Sequence, residues 1–384
     1  MKERSIELSA EQRGWLAGLG LAGVVAFGVG LVVAPVRAWS SYLTSAFYFL
    51  TVALGALTLL ALLHLAKAGF GVVLKRVTEG IAAYLPAGAV TMGVVLAGAG
   101  ALYPWATHAH DVHGGKAAYL SPAAFAIRMA LVLGLWCLFA ALLRRASRAQ
   151  DLDRRTAHTG RSVALSAGFL LVLAYSFSIA SFDWLMSLEP HWASTIFAFY
   201  NMAGMLTAGI AATLIATIAL RRSGALPEVN ESHLHDLGKL LLGMCTFWAY
   251  LWISQYLLIW YANIPEETAY YLARTRNGWS FLFYLDVIIN WLVPFLALLP
   301  RPAKRSEAQL LRVSALVLCG RWLDIYLMVA PSTQPDHQGI GLLEVAMFSG
   351  FAALFILVVT RALKERPLIA HADPYLSESL HHHQ

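Results

Sequence analysis

The chain reads as an all-α polytopic membrane protein of about ten transmembrane helices, arranged as two four-helix bundles with two flanking helices. Three observations predict this. Of its 384 residues, 59% are hydrophobic and only 13% charged, about half the charged share of an ordinary soluble domain. Apolar runs long enough to cross a bilayer core, about 20 residues each, recur along the whole length. Lys and Arg concentrate on alternate connections, as the positive-inside rule requires of a multi-pass protein.

The expected spans are 14–36, 43–66, 81–102, 124–143, 162–182, 195–220, 239–263, 277–299, 309–331 and 341–363. The first follows a charged arm, Met1 to Arg13, and lacks a small-residue cleavage site, so it reads as a retained helix rather than a signal peptide. No hydrophilic stretch is long enough for a separate soluble domain. Residues 1–384 therefore form one integral membrane domain. Of the 28 Lys and Arg residues, 22 lie on the N-terminal arm, the alternate loops and the C-terminal tail. The opposite loops hold Arg37, Lys116, Arg274 and Arg276, and Arg128 and Arg321 fall within spans. Both termini and the basic loops are thus expected in the cytoplasm. The net charge of +6 follows from topology and does not point to nucleic acid.

The bundle arrangement comes from a weak repeat at an offset of four spans. Thr44-Ser-Ala-Phe-Tyr-Phe and Ser194-Thr-Ile-Phe-Ala-Phe open spans two and six. Arg161-Ser-Val-Ala-Leu and Arg312-Val-Ser-Ala-Leu open spans five and nine. An even offset leaves both halves in the same orientation, as in parallel transporter repeats. The outer connections carry Trp105, Trp184, Trp192, Tyr261, Tyr270 and Trp279, expected as interfacial anchors. Cys137, Cys245 and Cys319 lie apart within spans and read as apolar packing groups.

Ionisable side chains inside a bilayer are expensive and mark a site or pathway by default. Counting 1.5 Å per residue, Arg128, Asp286, Arg321, Asp324 and Glu344, with neutral Asn201 and Gln255, all fall in the outer half. Arg321 and Asp324 stand i,i+3 on one helix, either as a structural ion pair or as a carboxylate tuned by its arginine. A proton relay needs groups that both accept and release protons, which Asp286, Asp324 and Glu344 can do. His64, near the inner end of span two, is either a relay entrance or an interfacial histidine bonded to backbone. His235, Asp236 and Lys239 at the inner mouth of span seven read as a helix cap and anchor, or as proton uptake. The outer histidines His108, His110, His113 and His191 lack helical metal-ligand spacing, so no metal site is expected. The tail His381–His383 reads as disordered or appended.

Several redox chemistries are absent from the sequence. Haem b in a bundle takes two axial histidines and only His64 lies suitably within a span; there is no CxxCH, no cysteine cluster and no phosphate-binding glycine loop.

Four strings carry a resemblance. They are Phe182-Asp-Trp-Leu-Met-Ser-Leu-Glu-Pro-His-Trp-Ala-Ser-Thr-Ile-Phe, His235-Asp-Leu-Gly-Lys-Leu-Leu, Trp248-Ala-Tyr-Leu-Trp-Ile-Ser-Gln-Tyr-Leu-Leu-Ile-Trp-Tyr-Ala-Asn-Ile-Pro-Glu-Glu-Thr and Arg321-Trp-Leu-Asp-Ile-Tyr. Together they resemble the NrfD/polysulfide-reductase family of integral membrane subunits, most closely the F-type membrane subunits of alternative complex III, a quinol:cytochrome c oxidoreductase. The similarity covers spans five to nine; the first 160 residues match mainly in topology. It implies a bacterial cytoplasmic-membrane location. The implied role is a scaffold and proton path without its own redox centre. The expected neighbours are a homologous C-type membrane subunit, outer iron–sulfur and haem c subunits, and lipids. Haem c and iron–sulfur clusters would sit in those partners, and quinone or quinol could approach the chain. Asp183, Gln255, Arg321 and Asp324 are the matched candidates for proton handling, joined on depth by Asp286 and Glu344. In an alternative reading the chain itself binds quinol at Asp183 and His191, and in a third it is an independent secondary transporter.

Overall fold

The computed structural model describes residues 8–107, 114–276, 278–335 and 339–383. Among these are ten helices long and apolar enough to cross a membrane, so the chain is a multi-pass membrane protein. In chain order they are α1 (Ala10–Val33), α2 (Pro35–Leu65), α3 (Gly69–Leu102), α4 (Pro122–Asp153), α5 (Ala157–Leu188), α6 (Phe197–Arg222), α7 (Glu231–Ala262), α8 (Ser280–Leu298), α9 (Glu307–Thr333) and α10 (Leu342–Lys364).

The two expected bundles are present. In the first, α2 packs on α3 and α5, and α4 closes the ring against both. In the second, α6 packs on α7 and α9, with α8 between those two. α2, α6 and α9 form the seam between the bundles, and α1 pairs with α10 along the flank of α2. Lipid tails are as apolar as leucine, so helices in a bilayer associate by close backbone approach. At the α2–α6 crossing, Gly55 and Gly209 face each other so closely that a Cβ on either would strike the other helix's backbone. Gly23 and Gly350 do the same for α1 and α10, where a Cβ on Gly23 would lie 2.9 Å from Gly350 Cα.

Several helices begin earlier than hydropathy predicts. α2 starts at Pro35, with only Ala34 between it and α1, because proline suits the first helical turn. This brings Arg37, expected in a loop, into the helix. α7 starts at Glu231, capped by Asn230, whose side chain accepts from the Ser232 and His233 amides. His235, Asp236 and Lys239 are therefore not the helix cap; they lie in its second and third turns. α3 is built from short pieces and begins at Gly69, so Lys75, Arg76 and Glu79 lie within it and are buried. The acidic segment after Asn263 is a helix, Pro265–Thr275, with proline at its start and Glu266 and Glu267 in its first turn, where the helix dipole favours them.

Two prolines shape the second bundle. Pro294 offers no N–H to the Asn290 carbonyl, and just before it α8 widens into a π turn over Ile288–Leu292. Pro331 likewise leaves the Leu327 carbonyl of α9 without its helical donor.

The tail is also folded, and His381–His383 are not disordered: His382 Nε2 lies 2.7 Å from Asp236 Oδ2. A short helix, Leu376–Leu380, packs on Gly69–Leu74. Ser379 Oγ donates to the Phe70 carbonyl at 3.1 Å, and Lys75 Nζ donates to Asp373 at 3.0 Å. The tail thereby supplies the carboxylate that pairs with buried Lys75, whose other partner is the neutral Gln150 side chain.

The aromatic anchors need a similar correction. Trp105, Trp184, Trp192, Tyr270 and Trp279 are buried, and of the six only Tyr261 is exposed. Trp192 stacks on Tyr270 at 3.9 Å, and its Nε1 donates to the Glu267 carbonyl. These rings pack the end of the protein away from the basic loops, hereafter the far end. Of the three cysteines Cys245 is buried and Cys137 half-buried, but Cys319 is exposed on the side of α9.

Candidate functional site

The interior of the second bundle holds two carboxylates and one guanidinium. Arg321 and Asp324 stand one turn apart on α9, and Arg321 Nη2 donates to Asp324 Oδ2 at 2.5 Å. Both are about 2% exposed, so the pairing is made away from water. α6 makes room for the guanidinium at Gly204, where any Cβ would overlap it. The Trp248 ring of α7 lies 5.1 Å from Arg321 Cζ, within cation–π range. One turn before Gly204, the Tyr200 hydroxyl donates to Asp324 Oδ1.

The second carboxylate comes from α8. Asp286 lies within hydrogen-bonding reach of Asp324. Asn290 Nδ2 donates to Asp286 Oδ1 at 2.7 Å and to its carbonyl at 3.0 Å. Asn290 belongs to the π turn set up by Pro294, a feature frequent at functional sites. Among the described residues, Arg321 Nε and Nη1 and Asn290 Oδ1 are buried without a hydrogen-bond partner. Arg128 Nη2 and Asp183 Oδ1 in the first bundle are left unpaired in the same way, so unmet polar atoms alone do not set this cluster apart.

A cavity of about 30 Å3 adjoins the carboxylates on their far-end side, lined among others by Tyr200, Gln255, Tyr270, Arg274, Asp286 and Asp324. A space of that size holds water. Its outer wall is Arg274, delivered by the short helix Pro265–Thr275. Arg274 Nε donates at 2.8 Å to the Leu327 carbonyl that Pro331 leaves bare. Nη1 reaches Glu189 at 2.9 Å and the Tyr270 carbonyl at 2.8 Å. Nη2 reaches the Met328 carbonyl at 3.0 Å and Ser332 Oγ at 2.7 Å. Burial pushes the Tyr270 and Tyr271 phenols well above their usual range, so both face the cavity as neutral hydroxyls. A polar row thus runs from Asn290 through the carboxylates and cavity to Glu189, which is partly exposed at the far end. Toward the basic end the same bundle buries Leu241, Cys245, Leu310, Val313 and Val317, with the hydroxyls of Thr217 and Ser314 among them.

The other candidates lie elsewhere. Asp183 of α5 is in the first bundle, where Arg128 Nε donates to it at 2.7 Å. Arg128 also donates to the Tyr119 carbonyl at 2.7 Å and stacks over that ring. Burial and the nearby Asp183 carboxylate push the Tyr119 phenol up to about 12. His191 is exposed on the following loop while Asp183 is buried. Glu344 opens α10 and is clamped by Arg37, Nε to Oε1 at 2.8 Å and Nη2 to Oε2 at 2.6 Å, with Ser41 Oγ at 3.0 Å and the Gly341 amide at 2.8 Å. This is a bidentate pair tying α10 to α2. The outer-half residues therefore form three separate groups, and Gln255, Asp286, Arg321 and Asp324 are the ones that meet. Asn201 donates only to the Phe197 carbonyl of its own helix, at 3.0 Å.

At the basic end, His64 Nδ1 contacts Ser166 Oγ of α5 at 3.0 Å, a side chain and not the backbone expected for an interfacial histidine. It lines a cavity of about 40 Å3 with Lys67, Lys75 and Asp373. Asp236 pairs with Lys239 at 2.6 Å and with His382 of the tail at 2.7 Å. His235 Nδ1 is buried without a partner among the described residues. These groups are remote in sequence from the carboxylate pair and separated from it by the apolar layer. Among the described residues no three His, Cys, Asp or Glu side chains group as a metal would require; His108, His110 and His113 lie outside the described residues.

Sequence reading missed Tyr200 and Arg274. Tyr200 carries a faint signal, since Tyr200-x-x-x-Gly204 puts a hydroxyl and a gap on one helix face. Arg274 reads as an ordinary loop cation until Pro331 is seen to free a carbonyl opposite it. No protein-family model matches the chain, and no curated protein is similar enough to it to count as a match.

Proposed function

We propose that the chain is a membrane subunit of a quinol-oxidising respiratory complex, holding no redox centre itself and serving as scaffold and proton path. In this reading the basic end faces the bacterial cytoplasm and the far end faces outward. A homologous C-type membrane subunit and outer iron–sulfur and haem c subunits carry the electrons. Quinol oxidation at the outer side releases protons, and the second bundle handles them.

The observation that carries the reading is the ratio of two carboxylates to one arginine. Two ionised carboxylates are both acceptors and have no hydrogen to share, so Asp286 and Asp324 in contact need one proton between them. With it the cluster is neutral; without it a net negative charge stands in a low-dielectric interior. Such a group binds one proton and exchanges it through water on its cavity side. The far-end cavity and Glu189 supply that side. In the first bundle Arg128 balances Asp183 one to one, which supports a structural pair there.

The quinol-binding alternative has weaker support, because Asp183 is engaged by Arg128 and His191 points from an exposed loop. Transporters typically bind at broken helices near mid-depth; α8 widens by a π turn and continues, and the interrupted span α3 lies in the first bundle, away from the carboxylate pair.

The test is purification from native membranes in mild detergent, with an absorption spectrum and subunit masses. Haem c bands and iron–sulfur partners in constant ratio would support the assignment. A colourless protein purifying alone would sink it.

A further inference from the structure

A groove of about 440 Å3 opens on the side of the protein between α2, α6, α9 and α10. Its floor is made of small residues, Ala212, Ala216, Ala315 and Ala352, and its walls of Phe348 and Phe355. Its length runs toward the basic end, to Leu220 and Leu363. We propose that it binds one acyl chain of an anionic phospholipid, with the phosphate held at the basic end.

A helix with side chains is about 10 Å across, so a partner helix would lay one face over the groove without entering it along its length. A single hydrocarbon chain, far thinner, fills the same volume along the groove. The lining chemistry excludes a quinone ring, which needs donors for its carbonyls. The Tyr48 hydroxyl already donates to the Leu318 carbonyl at 3.0 Å, and Thr360 Oγ1 donates to the Ile356 carbonyl at 2.6 Å. The remaining polar atom is the Cys319 thiol, a weak donor.

Charge at the mouth selects the headgroup. The acids there are already engaged: Glu307 by Arg221 and Arg222, each at 2.9 Å, and Glu365 by Arg144 at 3.5 Å and Arg148 at 3.6 Å. Arg312, one turn before Ala315, and Arg361, next to Thr360, are exposed cations at the same end. A phosphate carrying net negative charge is favoured beside them; a zwitterionic headgroup gains less.

Native mass spectrometry of the full chain, exchanged into micelles containing phosphatidylglycerol or phosphatidylcholine, tests this. One retained phosphatidylglycerol is expected, held about tenfold better than phosphatidylcholine. Ala216→Phe fills the floor and should abolish retention. Ala315→Phe, at an exposed position that folding does not need small, should weaken it in parallel. Arg312→Gln with Arg361→Gln should keep a lipid but lose the headgroup preference. Equal retention of both lipids, an unchanged lipid complement in both phenylalanine variants, or a retained quinone would overturn the proposal.

Discussion

Replacing Asp286 by asparagine separates a proton-binding carboxylate from a structural counter-ion. Asparagine keeps the volume and mimics the protonated acid. Its Oδ1 can still accept from Asn290, now at 2.7 Å from Asp286, and its Nδ2 can donate to Asp324. The cluster then holds one arginine and one carboxylate, already neutral. The cost should lie within about 1 kcal/mol, the worth of one exchanged hydrogen bond. Arg321→Gln is the opposite case, because it leaves Asp286 and Asp324 buried with no cation. Breaking a buried pair on one side costs about 3–5 kcal/mol, or roughly 4–6 °C of apparent Tm at about 1.2 °C per kcal/mol for a chain of 384 residues. Thermal unfolding of both variants in one detergent measures the stability arm. The functional arm is the proton-to-electron ratio of the intact complex in liposomes, which Asp286→Asn should lower while assembly is unchanged. If Asp286→Asn unfolds as readily as Arg321→Gln, the pair is a fixed ionic network and the shared-proton argument fails.

Other outcomes follow from the same geometry. Arg274→Met strips the donors from the Leu327 and Met328 carbonyls and from Glu189, and should lower stability by about 3 kcal/mol or more; an unshifted melting curve would contradict this. Gly209→Leu forces α2 and α6 apart where they touch backbone to backbone, and should cost at least about 1–3 kcal/mol, read as loss of monodisperse protein on gel filtration. Removing the chain from Asp373 onward takes away the partner of Lys75 and, with His382, a partner of Asp236, so trypsin should cut near Lys75 and Arg76 faster than in the full chain. Glu344→Gln loosens the clamp on Arg37 and should increase amide exchange at the start of α10, while leaving Asp286 and Asp324 unaffected.

The ten spans and the two-bundle order were legible because each rests on a one-dimensional property. A run of apolar residues must cross a bilayer whatever surrounds it, and a repeat at a fixed offset keeps its order in space. Depth was legible too, since helical rise fixes how far Asp286 or Glu344 lies from an end. What depth leaves open is rotation about the helix axis and the identity of the neighbour. Asp183, Glu344 and Asp324 all lie toward the far end, yet Arg128 takes the first, Arg37 the second and Arg321 the third, because α5, α10 and α9 face different helices. Tyr200 joined the site only because Gly204 lets α6 approach Arg321. The tail became part of the fold because α3 buries Lys75 beneath it and needs Asp373. Composition determined that these charges would have to be paired, since a bare charge in hydrocarbon is too costly. Only the packing of the helices decided which partner each one found.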